Sequence, residues 1–112
     1  MKTIPNTAAV EQVTFHAQFS ALCSVGHRPF WGDVRFRYQP SAQILEFVSV
    51  EEKLNTLANQ SVTIEDVARF AFNEARCALG HVPLEVVVFA NTTVHGPAEA
   101  IIGAVPPLGG MK

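Results

Sequence analysis

From Gln12 the chain alternates, with Val13, Phe15, Ala17 and Phe19 on one side and Thr14, His16, Gln18 and Ser20 on the other. A period of two is what a strand with one buried face requires, so a first strand is expected here. Alternation returns as Val34, Phe36 and Tyr38 against Asp33, Arg35 and Arg37, and ends at Pro40. Between the two runs lie Gly26, Pro29 and Gly32, turn formers that imply a connection of roughly ten residues where hairpins ordinarily use two to five. Long connections in small domains often carry function, and this one holds Cys23.

Farther along, Ile44 to Val50 is apolar and partly β-branched and is expected to be extended, while Glu51 to Asn59 favours a short helix. Thr63 followed by Ile64, Glu65 and Asp66 has the form of a helix N-cap with an acid at the third helical position. The helix it opens would turn Val67, Phe70, Ala71, Ala75 and Ala78 to a core and stop at Gly80. Leu84 to Ala90 is a strongly β-branched run, and Ala98 to Val105 is apolar enough for a fourth strand. The predicted order is β-β-α-α-β-β, an α+β class with an antiparallel sheet and helices on one face. Residues 1–9 are expected to form a loose arm, 10–105 the domain and 106–112 a flexible tail rich in Pro and Gly. Val86 to Phe89 are consecutively apolar, yet two short helices cover only one face of the sheet. The other face is therefore expected to meet a second copy of the chain.

Composition supports that expectation. The 112 residues are 48% hydrophobic and 16% charged, with a mean hydropathy of +0.20, which is apolar for a domain with so much surface per unit volume. There is no apolar run of about 18 residues to span a bilayer, and no basic start followed by an apolar stretch, so a cytoplasmic location is expected. A net charge of −2 gives no long-range attraction for nucleic acid.

The chemistry-bearing residues are few. Cys23 has His27 and Arg28 nearby, and cationic neighbours favour the thiolate that acts as a nucleophile; the alternative is a small buried hydrophobe at a strand end. Cys77, within the helical pattern, is expected to be inert packing. Glu65 in the first turn of a helix is stabilised there by the backbone N–H groups, and an ionised carboxylate also suits two hydrogen bonds from an N–H and amino edge such as that of guanine or a pterin. Glu46 offers the same chemistry from another segment. The histidines at 16, 27, 81 and 95 lack metal-site spacing, so no metal is assigned. Arg35 and Arg37 are expected to form a solvated cationic stripe rather than a phosphate clamp, and no Gly-rich phosphate loop is present.

The run Phe19-Ser-Ala-Leu-Cys23-Ser-Val-Gly-His-Arg-Pro29-Phe-Trp-Gly, followed by Val34-Arg-Phe-Arg-Tyr38-Gln-Pro40, resembles the nucleophile segment of the 7-cyano-7-deazaguanine reductase (QueF) family of the tunnelling fold. Leu45-Glu46 and Ile64-Glu65-Asp66 fall where that family has its two pocket glutamates. The resemblance spans residues 15–105 and implies protomers whose sheets join into a ring-shaped homo-oligomer with sites between subunits. It implies that Cys23 attacks a nitrile to form a thioimide, that Glu65 and Glu46 hold a deazaguanine, and that NADPH reduces the adduct.

The chain departs from that pattern in three places. Phe30 stands where the family has its proton-transferring aspartate, which leaves His27 or Asp33 as candidates for that role within hydrogen-bond reach. Ile64 replaces a histidine. Phe47-Val-Ser-Val-Glu51 replaces the lysine-bearing cofactor motif, and an acid there repels phosphates; the chain's own residues assign no cofactor. Shortened relatives that transfer an amine or ammonia to a cyano-deazaguanine in transfer-RNA modification also lack those lysines. Two other readings stay open: a pterin-handling tunnelling-fold enzyme of aldolase, epimerase or cyclohydrolase type, and a non-catalytic ligand-binding or assembly protein.

Overall fold

The two alternating runs form the centre of a five-stranded sheet in the computed structural model, which describes residues 1–90 and 96–109. In chain order the elements are β1 (Thr3–Pro5), β2 (Val13–Cys23), β3 (Pro29–Tyr38), β4 (Gln43–Leu45), α1 (Phe47–Asn55), β5 (Ser61–Val62), α2 (Ile64–Leu79), β6 (Leu84–Ala90) and β7 (Ala98–Ala104). The large sheet has the order β5-β2-β3-β6-β7, antiparallel except for the β2–β5 pair. His95 and residues 110–112 of the tail lie outside the described residues.

One face of the sheet carries the core. Ala17, Phe19 and Ala21 of β2 and Phe30, Val34, Phe36 and Tyr38 of β3 are all buried, beneath Val50 and Leu54 of α1 and Val67, Ala71 and Ala75 of α2. Within each helix these positions recur four residues apart, as one face of a helix does. Thr63 caps α2: its Oγ accepts from the Asp66 N–H, and the Asp66 carboxylate accepts from the Thr63 N–H. Such a cap is worth about 1 kcal/mol. None of the described helices is long and apolar enough to cross a membrane.

Several elements differ from the expectation. The hairpin connection is only Ser24–Arg28, because β2 extends through Cys23 and β3 begins at Pro29. Gly32 is a strand residue, paired with Phe19 and Ala90; a Cβ there would meet the Phe89 carbonyl of β6, so the backbones approach too closely for any side chain. The extended run from Ile44 stops at Leu45. Glu46 then accepts from the N–H groups of Val48 and Ser49, and α1 starts at Phe47, earlier than its helix-forming residues suggest. The arm expected to be loose is tied down: Thr3 pairs with Leu45, and the Lys2 N–H donates to Ser49 Oγ at 2.8 Å.

On the helix-free face Val87 is buried, flanked in register by Arg35 and Ile101 of its own chain. Neighbours within one protomer thus account for the burial of Val87.

Tyr38 joins the two sheets. Its hydroxyl accepts from the Leu45 N–H at 2.9 Å, and both residues are buried. Burial raises the Tyr38 pKa above the ordinary tyrosine value, with the Leu45 N–H acting in the opposite sense. Tyr38→Phe leaves a buried N–H without its acceptor and should lower the unfolding free energy by about 1–3 kcal/mol in urea titrations. The unfolded chain ionises this tyrosine at lower pH than the folded one, so the neutral form's contribution is complete below the ordinary tyrosine range. It is lost as pH rises through that range toward the folded pKa, and the gap between wild type and variant should narrow there.

Candidate functional site

The short β5 positions the site. The Leu22 N–H donates to the Gln60 carbonyl at 2.9 Å and the Ser24 N–H to the Val62 carbonyl at 3.2 Å, so Cys23 stands beside Val62 in a parallel ladder. Two residues on, α2 begins, and its first turn therefore rises next to the end of β2. Alternation along β2 puts Cys23 on the same side as Ala17, Phe19 and Ala21, the helix-covered side.

Main-chain hydrogen bonds fix the turn after Cys23. The Cys23 N–H donates to the Arg28 carbonyl and the His27 N–H donates to the Cys23 carbonyl, each at 2.8 Å. His27 adopts a left-handed conformation, φ 54°, uncommon for a residue with a side chain. The chain path this produces aims backbone N–H groups at the half-exposed thiol. That of Gly26, and after it that of Val25, holds the Cys23 pKa below the ordinary thiol value, against a small opposing effect of desolvation.

Cys23 and Glu65 open onto one cavity of about 240 Å³. Its walls are mainly apolar, including Val25, Phe30, Val62, Ile64 and Ala90, and Arg28 also lines it. The two acids of the first turn of α2 have separate fates. Asp66 is engaged in the cap, whereas Glu65 is exposed and makes no hydrogen bond or ion pair among the described residues. The Glu65 carboxylate and a thiol whose pKa is lowered by the turn thus face one chamber.

The remaining candidates are placed elsewhere. Glu46 does not line the cavity; both its oxygens cap α1. His27 lies in the turn with Nδ1 3.5 Å from Ser61 Oγ, and it too is absent from the cavity wall. Asp33 lies on β3 opposite Gln18, on the helix-free face, because the other parity of β3 carries Phe30, Gly32 and Val34 into the core. Within one protomer it is separated from the thiol by the sheet. Cys77 is exposed on α2 rather than packed. Among the described residues no three of His, Cys, Asp and Glu come together as a metal-binding group. Phe30 enters the site through a feature invisible to periodicity, the extension of β3 back to Pro29.

No protein-family model and no curated protein matches the chain. In three dimensions it is similar to the crystal structure of the archaeosine synthase QueF-Like in its apo form, with a TM-score of 0.77 over 87% of this chain and 98% of that one. The chain has the tunnelling fold. At 15% identity the likeness is one of fold, and within the tunnelling fold the Cys23–Glu65 cavity is what this chain's own residues supply.

The lowered thiol pKa has a direct readout. Alkylation of Cys23 by iodoacetamide, followed by peptide mass spectrometry, should show a pH midpoint below that of an ordinary thiol peptide. Gly26→Pro, which deletes the leading N–H donor, should move the midpoint upward. An ordinary midpoint in the wild type would remove the N–H groups as the activating feature.

Proposed function

We propose that this QueF-like tunnelling-fold protein binds a 7-deazaguanine-type bicycle in the Cys23–Glu65 cavity and processes a nitrile on it through a covalent thioimide at Cys23. The observation that carries this reading is the shared chamber itself, with a thiol of lowered pKa and a carboxylate that has no partner among the described residues on its walls. Its volume of about 240 Å³ is just under the usual range for ligand sites, about 300–1,000 Å³, which suits a small flat ligand. The apolar walls sandwich the rings, and Glu65, an acceptor on both oxygens, takes the ring N–H and exocyclic amino group.

The reaction class that suits these residues is addition of an amine. Sulfur bonds to the nitrile carbon, one carbon–nitrogen π bond opens and the nitrogen takes up a proton, so the sum is addition of S–H across the triple bond. Ammonia or an amine then adds to the same carbon, the carbon–sulfur bond breaks, and the thiol is regenerated with an amidine as product. Nothing is oxidised or reduced. The structural neighbour is described as an archaeosine synthase, and the shortened relatives noted above share the absence of lysines after the first glutamate.

On this reading NADPH is not assigned a place. Where the reductases have lysines, Phe47 and Val48 are exposed, Ser49 is hydrogen-bonded to Lys2 and to the Glu46 carbonyl, and Glu51 is exposed. Those groups give a pyrophosphate no cationic partner.

A binding-only role is favoured by one observation: with Phe30 in the cavity and Asp33 on the far face, Glu65 is the only acid lining it among the described residues. Incubation with 7-cyano-7-deazaguanine separates the readings. Intact-protein mass spectrometry should show an adduct of the ligand's mass, abolished in Cys23→Ala, while Glu65→Gln should weaken ligand binding by about tenfold, the equivalent of one good hydrogen bond to a charged group. Saturable binding without an adduct would leave the binding role alone; a pterin bound in preference would select the pterin reading, and no binding of either would end both.

We also propose a homo-oligomer, supported by the open edge at β7 and the exposed Ile101 upon it. Light scattering should give a multiple of the 12.2 kDa protomer mass; a monomer at micromolar concentration would refute it.

A further inference from the structure

The helix-free face of the sheet carries a second cluster of charge. Arg35 and Arg37, alternate residues of β3, both donate from Nη2 to Oε1 of Glu85 at 3.0 Å. Glu85 comes from β6, directly opposite Arg37. The side chains are largely covered, with exposures of 26% and 34% for the arginines and 18% for the glutamate. The stripe is therefore not the freely solvated one its alternation suggests.

Charge and donors are both left over. Two guanidinium groups share one carboxylate oxygen, and neither has another ion-pair partner among the described residues. The Nε atoms of both arginines are out of contact with solvent and have no acceptor among the described residues. Buried polar groups are nearly always satisfied, and a guanidinium has five N–H donors arranged to meet the oxygens of phosphate or carboxylate in pairs. Two converging cations with unused donors and one positive charge in excess of Glu85 present a surface that suits an oxyanion.

We propose that Arg35 and Arg37 hold a phosphate group on the helix-free face, separate from the Cys23 cavity, with Glu85 as the internal carboxylate that positions both guanidinium groups and limits the affinity. The phosphate is either free or carried by a nucleotide. Seated against both guanidinium groups, it accepts N–H bonds that Glu85 leaves unused, and small turns of the two side chains bring the Nε–H groups onto it. The face is also the side of Asp33, which lies outside ion-pair distance of either arginine and sets an acidic limit to the site along β3.

The test uses the arginine Nε–H resonances of the intact protein. Titration with inorganic phosphate, against sodium chloride at matched ionic strength, should move two of these resonances saturably with a midpoint in the millimolar range. Arg37→Gln should weaken binding by about tenfold. Glu85→Gln removes the competing charge and should tighten binding by about threefold or more, a change that a purely structural ion pair would not produce. A nucleoside 5′-monophosphate that binds more tightly than phosphate assigns the nucleotide as source, and equal midpoints assign the free ion. Shifts that follow chloride equally, or a Glu85→Gln protein with unchanged or weaker binding, would overturn the site whether or not Arg37→Gln folds.

Discussion

The parallel contact between the end of β2 and the two residues of β5 is the constraint on which the rest of the site depends. Without it the chain between the helices would be free to start α2 elsewhere, and the thiol and the free carboxylate would belong to unrelated parts of the surface. Two backbone hydrogen bonds, Leu22 to Gln60 and Ser24 to Val62, bring the strand end and the helix start together. Each is modest by itself, roughly 1 kcal/mol net, but both helices pack on the same sheet face and hold the contact from behind. Core packing thus determines which polar groups meet, even though no core residue does chemistry.

The sheet separates two chemistries. On the helix-covered side, apolar walls surround a thiol and a carboxylate, an environment in which each hydrogen bond counts for more than in water. On the other side, the polar parity of the same strands collects Arg35, Arg37, Glu85 and Asp33. Residue parity, set by the pleat, decides to which side each group is assigned. That is why, within one protomer, Asp33, close to Cys23 along the chain, lies outside its chamber, while Glu65, far along the chain, lines it.

Much of this was legible in the residues. Both central strands and α2 with its cap followed from periods of two and of three to four, because each buries one face against the core, while the bounds of β6 and the start of β7 followed from β-branched and apolar runs. Glu65 and Cys23 stood out by chemical type and position. What was hidden depends on contacts without a period. β5 has two residues, too few to show alternation; β1 is held by pairing with β4 and by a bond from Lys2 to Ser49; and α1 starts early because Glu46 turns its side chain onto the helix N–H groups. Gly32 read as a turn former because the close approach of Phe89 that requires glycine belongs to the tertiary structure. Glu46 was legible as a carboxylate but not as one already engaged.

The turn after Cys23 acts on the sulfur through main-chain atoms. Every amino acid except proline carries that N–H group, so the identities of Val25 and Gly26 are nearly irrelevant to the thiol so long as the loop keeps its course. Evolutionary drift around the nucleophile is therefore weakly restrained: neighbours can be exchanged generation after generation while reactivity persists. A lineage using this device can lose its recognisable signature long before it loses its shape.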